Sequence, residues 1–288
     1  MHSITLLSPA KINLTLEVIR KRQDGYHDIR SIVQPINLFD EVRIEVEKGD
    51  GITLESTGIE IPRGKENLAW RAAEVFLKEC GISLKIRIFI KKRIPVGAGL
   101  GGGSGNAAAV LVGINRITNK FSEDDLIRFS SKIGADVPLF IHCRSSIIEG
   151  IGDKVTLISS FPLFYYVLLN PGFEVSTKRI YELWDEAFKE EGLIRDGIEH
   201  KISLFRRGEF PLINDLEKLA IAIYPEIKNL REKLISMDVE AVSITGSGPT
   251  VFGVFNDEKG AKRIYEYFRD SSTFKVFFAQ GILGWHRL

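Results

Sequence analysis

The sequence predicts an α+β fold on three observations. Several segments alternate apolar and polar residues with period two, as strands with one wet face do. Others carry apolar residues at i, i+3, i+4 and i+7, as amphipathic helices do. Strands with one wet face suit largely antiparallel sheets covered on one side by helices, rather than a parallel sheet buried on both faces.

The elements follow in order. Residues 14–19 alternate loosely and read as a strand. Residues 41–47 alternate cleanly, with Val42, Ile44 and Val46 set against Glu41, Arg43, Glu45 and Glu47. A turn at 48–51 leads to a returning strand at 52–56. Residues 67–78 have helical periodicity through Leu68, Ala72, Val75 and Phe76, with Gly81 as the stop signal. Residues 84–90 alternate again. A helix over 104–117 is predicted by Ala107, Val110, Leu111 and Ile114. Ser122 followed by Asp125 reads as the N-cap of a further helix to about residue 133. A buried strand is predicted at 165–169, helices near 177–189 and 225–236, and strands near 239–245 and 250–255. Glycine, serine and proline density rises over 150–162, which divides the chain into an N-terminal domain, 1–155, and a C-terminal domain, 156–288.

The composition excludes several classes. The chain has 288 residues, 44% of them hydrophobic and 27% charged, enough for an ordinary core without disulfide staples. The formal net charge of +1 argues against a dedicated nucleic-acid binder. Cys80 and Cys143 are far apart and form neither a zinc motif nor a disulfide framework. Met1-His2-Ser3-Ile4 lacks a basic stretch leading into an apolar one, so no signal peptide is expected. The longest apolar stretch, 161–169, is broken by Pro162 and is far short of the ~20 residues of a membrane span. A cytoplasmic protein that binds neither membrane nor nucleic acid is expected.

The most informative stretch is Pro95-Val96-Gly97-Ala98-Gly99-Leu100-Gly101-Gly102-Gly103-Ser104-Gly105, with six glycines in the nine positions from Gly97. It lies between a strand and a helix start. Glycines there permit positive φ and close backbone approach, and free N–H groups at a helix N-terminus make an anion site suited to a di- or triphosphate. A flexible linker is disfavoured by its position between two regular elements. Gly97-x-Gly99-x-x-Gly102 formally matches the dinucleotide fingerprint, but the preceding strand alternates basic and apolar residues, unlike the buried strand that fingerprint follows. The Walker spacing is nearly present too, with Gly103 where its lysine belongs.

Other motifs are weaker singly. Lys11, in Ser8-Pro9-Ala10-Lys11-Ile12-Asn13-Leu14, is either a surface lysine or a buried one in need of a partner. Tyr26-His27 is either a turn with an aromatic cover or a stacking face beside a hydrogen-bonding imidazole, which suits a nucleobase. Asp136, in an apolar run, is either a turn or helix-end cap or a carboxylate that requires a partner. Thr245-Gly246-Ser247-Gly248-Pro249-Thr250 reads as a hairpin connection. Lys91-Lys92-Arg93 reads as a solvated strand end.

Taken in order, S-P-A-K-I-N-L, D-G-Y-H, I-P-V-G-A-G-L-G-G-G-S, G-A-D-V-P-L-F and T-G-S-G-P-T-V-F resemble the 4-diphosphocytidyl-2-C-methyl-D-erythritol kinase family of the GHMP kinase superfamily. The resemblance spans Ser8 to Phe252. The paired D-G-Y-H and G-L-G-G-G-S motifs separate this branch from mevalonate, homoserine and galactose kinases. It implies a ribosomal-protein-S5-like N-terminal domain, a ferredoxin-like C-terminal domain and a site between them. It implies ATP and Mg²⁺ as cofactors and a small-molecule alcohol as acceptor; a monomer or weak homodimer is expected.

Carried over residue by residue, the resemblance makes Lys11 and Asp136 catalytic and gives the ATP phosphates to 95–105. Asn13, Tyr26, His27, Thr177 and Tyr181 become substrate contacts, with Tyr26 and Tyr181 sandwiching cytosine. Asn67 and Leu68 are candidates for the adenine. Ser104 is the candidate hydroxyl beside the metal. The family usually reads G-G-G-S-S-N, and this chain has Gly105 at the second serine, where a backbone N–H could still serve. A non-catalytic nucleotide-binding regulator on the same fold would have lost Lys11 or Asp136, and both are present.

Overall fold

The computed structural model describes residues 1–188 and 197–287. Strands β1 (His2–Asn13), β2 (Thr15–Lys21), β3 (His27–Lys48) and β4 (Gly51–Gly58) open the chain. Helix α1 (Leu68–Cys80), strand β5 (Leu84–Lys92), helices α2 (Gly102–Thr118), α3 (Glu123–Ser130) and α4 (Val137–His142), and strands β6 (Ser146–Gly150) and β7 (Lys154–Leu157) follow. The second half runs β8 (Tyr165–Asn170), α5 (Thr177–Ala187), α6 (Ile198–Arg206), β9 (Ile213–Asn214), α7 (Glu217–Ile223), α8 (Pro225–Ile235), β10 (Ala241–Ile244) and β11 (Val251–Phe255). It ends with α9 (Glu258–Phe268), β12 (Lys275–Gln280) and β13 (His286–Arg287).

The first sheet is organised by β3, 22 residues long. Its C-terminal part pairs with β5 and its N-terminal part with β2 and β6, while β1 runs antiparallel along residues 33–46. The period-two reading of 41–47 holds because Val42, Ile44 and Val46 face the core under α1 and α2. Upstream the alternation disappears, because 31–36 is buried on both faces. A register shift between Pro9 and Ala10 bends β1 just before Lys11. Helix α1 is capped as its ends predict: the Asn67 side chain accepts from Ala69 N, and Gly81 is left-handed with φ 63°. Ser122 and Asp125 form a complete capping box on α3.

The second sheet is wholly antiparallel, in the order β10-β11-β8-β12. Helices connect β8 to β10, a turn joins β10 to β11, and α9 connects β11 to β12. That is the βαββαβ path of a ferredoxin-like unit. Strand β7 runs across the expected division at 155/156 and belongs to the first sheet, as do β9 and β13 from the far end of the chain. Helix α5 ends at Ala187, and Lys189 of its predicted span lies outside the described residues.

Candidate active site

A cleft of about 1100 Å³ is lined from both halves, by Lys11, the glycine loop and Asp136 on one side and by Thr177, Tyr181 and Ser247 on the other. One of its ends is backbone. Between β5 and α2 the chain turns through residues with positive φ, and α2 begins at Gly102, two residues before the predicted start, on a left-handed Gly101. At Gly99, φ is +74° and an added Cβ would lie 2.1 Å from the Thr245 carbonyl oxygen. At Gly101 it would press on Lys11 Cγ and on Phe140, each at 3.0 Å. No other residue type fits this approach of loop to β1 and to the second glycine turn. Lys11 N donates to Leu100 O at 2.9 Å and stitches the loop to β1.

Nine of the eleven expected phosphate-loop residues line the cleft; Leu100 and Gly105 do not. Leu100 is in the core. The Gly105 N–H, expected to remain available in place of the missing serine, donates to Gly101 O at 2.9 Å within the helix. Ser104 lines the cleft from the first turn of α2.

Lys11 is 5% exposed, which decides between its two readings: it is the buried lysine. Burial pulls its ammonium below the ordinary lysine range, and the negative charge of Asp136 partly restores it. Its direct partner is Asn13, whose Oδ1 accepts from Nζ. Asn13 is itself pinned, donating from Nδ2 to Ser31 Oγ at 2.8 Å and from its backbone N to Thr245 Oγ1 at 3.0 Å. Asp136 occupies the N-cap position of α4, yet its side chain caps nothing. Lys11 and Asp136 make no ion pair within 4.0 Å, so they do not pair directly in the way mutual burial would suggest. The charge of Asp136 reaches Tyr181 as well: burial foremost, then Asp136 and Asp215, push the Tyr181 phenol up. Asp136 therefore stands within electrostatic reach of both the lysine and the aromatic end.

That second end is made of side chains. His27 stacks on Tyr181 with centroids 4.6 Å apart and planes at 20°, and Trp184 meets His27 edge-on at 5.5 Å. Tyr26 stands at the rim, 62% exposed. Its ring is not the one on Tyr181 here, since the imidazole covers that face. Thr177 Oγ1 is 2.8 Å from Ser247 Oγ, tying α5 to the second glycine turn. That turn is the predicted hairpin connection, and its Gly246 and Ser247 also line the cleft. Asn214 holds it, donating from Nδ2 to the carbonyl oxygens of Ile244 and Gly246 at 3.0 and 2.9 Å.

Sequence reasoning missed several cleft residues. Asp185 accepts from His27 Nε2 and from Lys21 Nζ, each at 2.7 Å; the i, i+4, i+8 spacing of Thr177, Tyr181 and Asp185 was its only signal. Lys92 is 4% exposed rather than solvated, paired with the fully buried Asp40 behind the loop. Asn106 lines the cleft with a buried Oδ1 that has no hydrogen-bond partner. Asn67, expected near adenine, lines the cleft but commits its side chain to capping α1 and to Pro62 O. Among the described residues no three His, Cys, Asp or Glu side chains gather as a metal cage, and no helix is long and apolar enough to cross a membrane.

Comparison with known proteins shows the family. The GHMP kinases N terminal domain family matches residues 67–144, and the GHMP kinases C terminal family matches residues 191–272. The chain is similar to the 4-diphosphocytidyl-2-C-methyl-D-erythritol kinase of Syntrophus aciditrophicus, 37% identical over 97% of this chain and 99% of the relative. To that of Geobacter metallireducens it is 39% identical over 96% and 98%. Among solved structures, a crystal structure of 4-(cytidine 5'-diphospho)-2C-methyl-D-erythritol kinase superposes with a TM-score of 0.82 at 33% identity, covering 97% of this chain and all (100%) of that one. Homoserine kinase from Cytophaga hutchinsonii shares the fold, with a TM-score of 0.75 at 17% identity over 100% and 98%. With the glycine-lined loop, the buried Lys11 and the uncommitted Asp136 all in one cleft, the chain belongs to the GHMP kinases and, among them, to the 4-diphosphocytidyl-2-C-methyl-D-erythritol kinase family.

Proposed function

We propose that the cleft carries out ATP-dependent phosphorylation of the 2-hydroxyl of 4-diphosphocytidyl-2-C-methyl-D-erythritol. The products are the 2-phosphate and ADP, in non-mevalonate isopentenyl diphosphate biosynthesis. The observation that carries this reading is the single cleft with a backbone-built anion cradle at one end, an aromatic and imidazole cluster at the other, and Asp136 within electrostatic reach of both Lys11 and Tyr181.

The roles follow from the chemistry. The acceptor hydroxyl forms a bond to the γ-phosphorus as the bond to the β-phosphate oxygen breaks, and ADP leaves. Asp136 takes the hydroxyl proton. Its carboxylate suits this because no helix N–H occupies it. Lys11, steered by Asn13, stabilises the charge that moves onto the transferred group. The loop 95–104 holds the ATP phosphates through backbone N–H groups and the start of α2. Tyr26, His27 and Tyr181 hold the cytosine, with Thr177 and Asn13 as polar contacts.

Mg²⁺ fits the residues present. The ion keeps several waters and binds through few protein groups plus substrate phosphates, so it needs no cage of carboxylates. The Ser104 hydroxyl and the orphaned Asn106 Oδ1 would hold it, directly or through its waters. When bound, it neutralises negative charge on the phosphates.

A monomer or weak homodimer is our reading of the assembly. Two free cysteines, Cys80 and Cys143, and a demand for ATP suit the cytoplasm. We place the joint between the domains after β7, past Leu157, rather than at the expected 155/156. The test is ADP release with Mg-ATP and a panel of the cytidyl compound, mevalonate, homoserine and galactose. Turnover with the cytidyl compound alone is expected. Turnover with another acceptor would retain the kinase and discard the substrate.

A further inference from the structure

No direct bond holds the Asp136 side chain. Among the described residues its carboxylate makes no hydrogen bond and no ion pair, and it caps no helix. A group without bonds is placed by its own backbone and by whatever walls it in. The backbone is fixed. Val137 to Ile141, which follow Asp136 in α4, are all buried. The far end of the helix is tied down through carbonyls that a helix terminus leaves free. Cys143 O accepts from Gly284 N at 2.8 Å, and Ile141 O from Trp285 Nε1 at 3.2 Å.

The wall is the turn between β6 and β7. Gly150 and Gly152 both have positive φ there, +68° and +111°. A Cβ on Gly152 would lie 3.3 Å from Asp136 Oδ1 and 3.6 Å from Ala135 Cβ, so the turn closes on the carboxylate with no room for a methyl. Gly152 does not line the cleft, although its neighbour Ile151 does. The turn has little freedom to retreat. Gly150 pairs with Ile29 on β3, and Glu149 with Lys154 on β7. Gly152 N donates to Glu149 O at 3.2 Å, and Ile151 N to Asp153 Oδ1 at 3.1 Å.

We propose that Gly152 is a positioning residue for the phosphoryl transfer. Lacking a side chain, it lets the β6–β7 turn close against Asp136 and leaves the carboxylate the space from which it meets the acceptor hydroxyl. This deepens, and rests on, the reading of Asp136 as the general base. With the backbone fixed on both sides, a methyl at 152 displaces the one unbonded group in the contact, the carboxylate, by a few tenths of an ångström. A general base must stay within hydrogen-bond reach of the proton it takes, and a misplacement of about 1 Å can cost ~10²-fold in rate. Because Gly152 lies outside the cleft lining, its effect falls on kcat and not on KM.

The experiment measures kcat and both KM values for Gly152→Ala, alone and combined with Asp136→Asn. Gly152→Ala alone should lose about tenfold in kcat, with KM for ATP and for the cytidyl compound unchanged. In the Asp136→Asn background no base remains to be misplaced, and the same substitution should cost nothing further, since residues that act as a unit are not additive. Gly150→Ala strains the same turn but aims its Cβ at Asp153 Oδ1, 2.6 Å away, so it should lower the melting temperature and keep kcat. A folded Gly152→Ala enzyme with wild-type kcat would overturn the proposal. So would an equal further loss in the Asp136→Asn background, or an equal loss of kcat in Gly150→Ala, either of which reduces the effect to a strained turn. A structure of the wild-type enzyme with the cytidyl compound and a non-hydrolysable ATP analogue tests the same point with no variant to fold. Contact of the turn with Asp136 is expected to persist there, and withdrawal of Gly152 from the carboxylate would refute the role. An Asp136→Asn enzyme with full activity would instead remove the general-base reading beneath it.

Discussion

The two ends of the cleft are built from different material. At the proposed phosphate end the cleft is walled by backbone, and glycines let the loop pack closely against Thr245 and Lys11. At the base end it brings side chains: His27 from β3, Tyr181 and Asp185 from α5, Lys21 from β2. A triphosphate presents the same oxygens whatever its base, so repeated N–H groups are enough for it. A pyrimidine is told from its relatives by the placing of donors and acceptors, which requires oriented side chains. Substitutions at the phosphate end should therefore act on ATP, and on the fold as well where an added Cβ meets protein atoms, while loss of a side chain at the base end should act on the second substrate.

The largest expected effect lies where the ends meet. Asp136→Asn should lower kcat by about 10²–10⁴-fold, the usual loss for a positioned general base. Its melting temperature should hardly move, because the carboxylate caps no helix. A variant with full activity would end that assignment.

The phosphate end can be broken in two separable ways. Gly99→Ala meets a backbone oxygen at 2.1 Å and a φ of +74°, so both ATP affinity and stability should suffer, the latter by roughly 1–3 kcal/mol. Gly103→Ala has only Leu68 Cδ1 nearby, at 3.8 Å, and the new methyl has room in the protein. It should raise KM for ATP with an unchanged melting temperature. If Gly103→Ala left ATP kinetics untouched, the loop would not hold phosphate through that stretch.

At the base end, Tyr181→Ala should raise KM for the cytidyl compound by about tenfold, on the ~1–3 kcal/mol scale of base–aromatic stacking, and leave KM for ATP alone. An unchanged KM would refute the stacking role. The smallest effect is expected at Gly25, beside Tyr26. It has φ +86° but no atom within 4 Å of an added Cβ. Gly25→Ala should cost about 1 kcal/mol of stability and little activity. A large kinetic loss there would show that this turn also approaches the substrate.

Much of the fold was legible because it rests on local rules. Residues 41–47 and 84–90 alternate because one face meets the helices and the other meets solvent. The caps at Asn67 and at Ser122 with Asp125 are hydrogen bonds between near neighbours, visible in the spacing of residue types. The glycine loop was legible because only glycine tolerates its backbone. Other features lacked such a signal. The stretch 31–36 of β3 loses its alternation through burial on both faces. Helix α4 spans six residues, too few to show a period. Lys92 looked like its exposed neighbours, and only the placing of Asp40 on the adjoining strand makes it a buried partner.

The site divides along the same line. The sequence by itself determined the chemistry available: a loop that must approach its ligand by backbone, one lysine, one carboxylate and a pair of aromatic-rich segments. Only the tertiary structure decided which of these meet. Lys11 turned out to be steered by Asn13, and the Gly105 N–H to be spent inside α2. His27 meets Asp185 across 158 residues of chain, at a distance set by how α5 packs against the β2–β3 hairpin. Local propensity acts over a few residues, whereas a hydrogen bond between distant elements depends on the packing of every element between them.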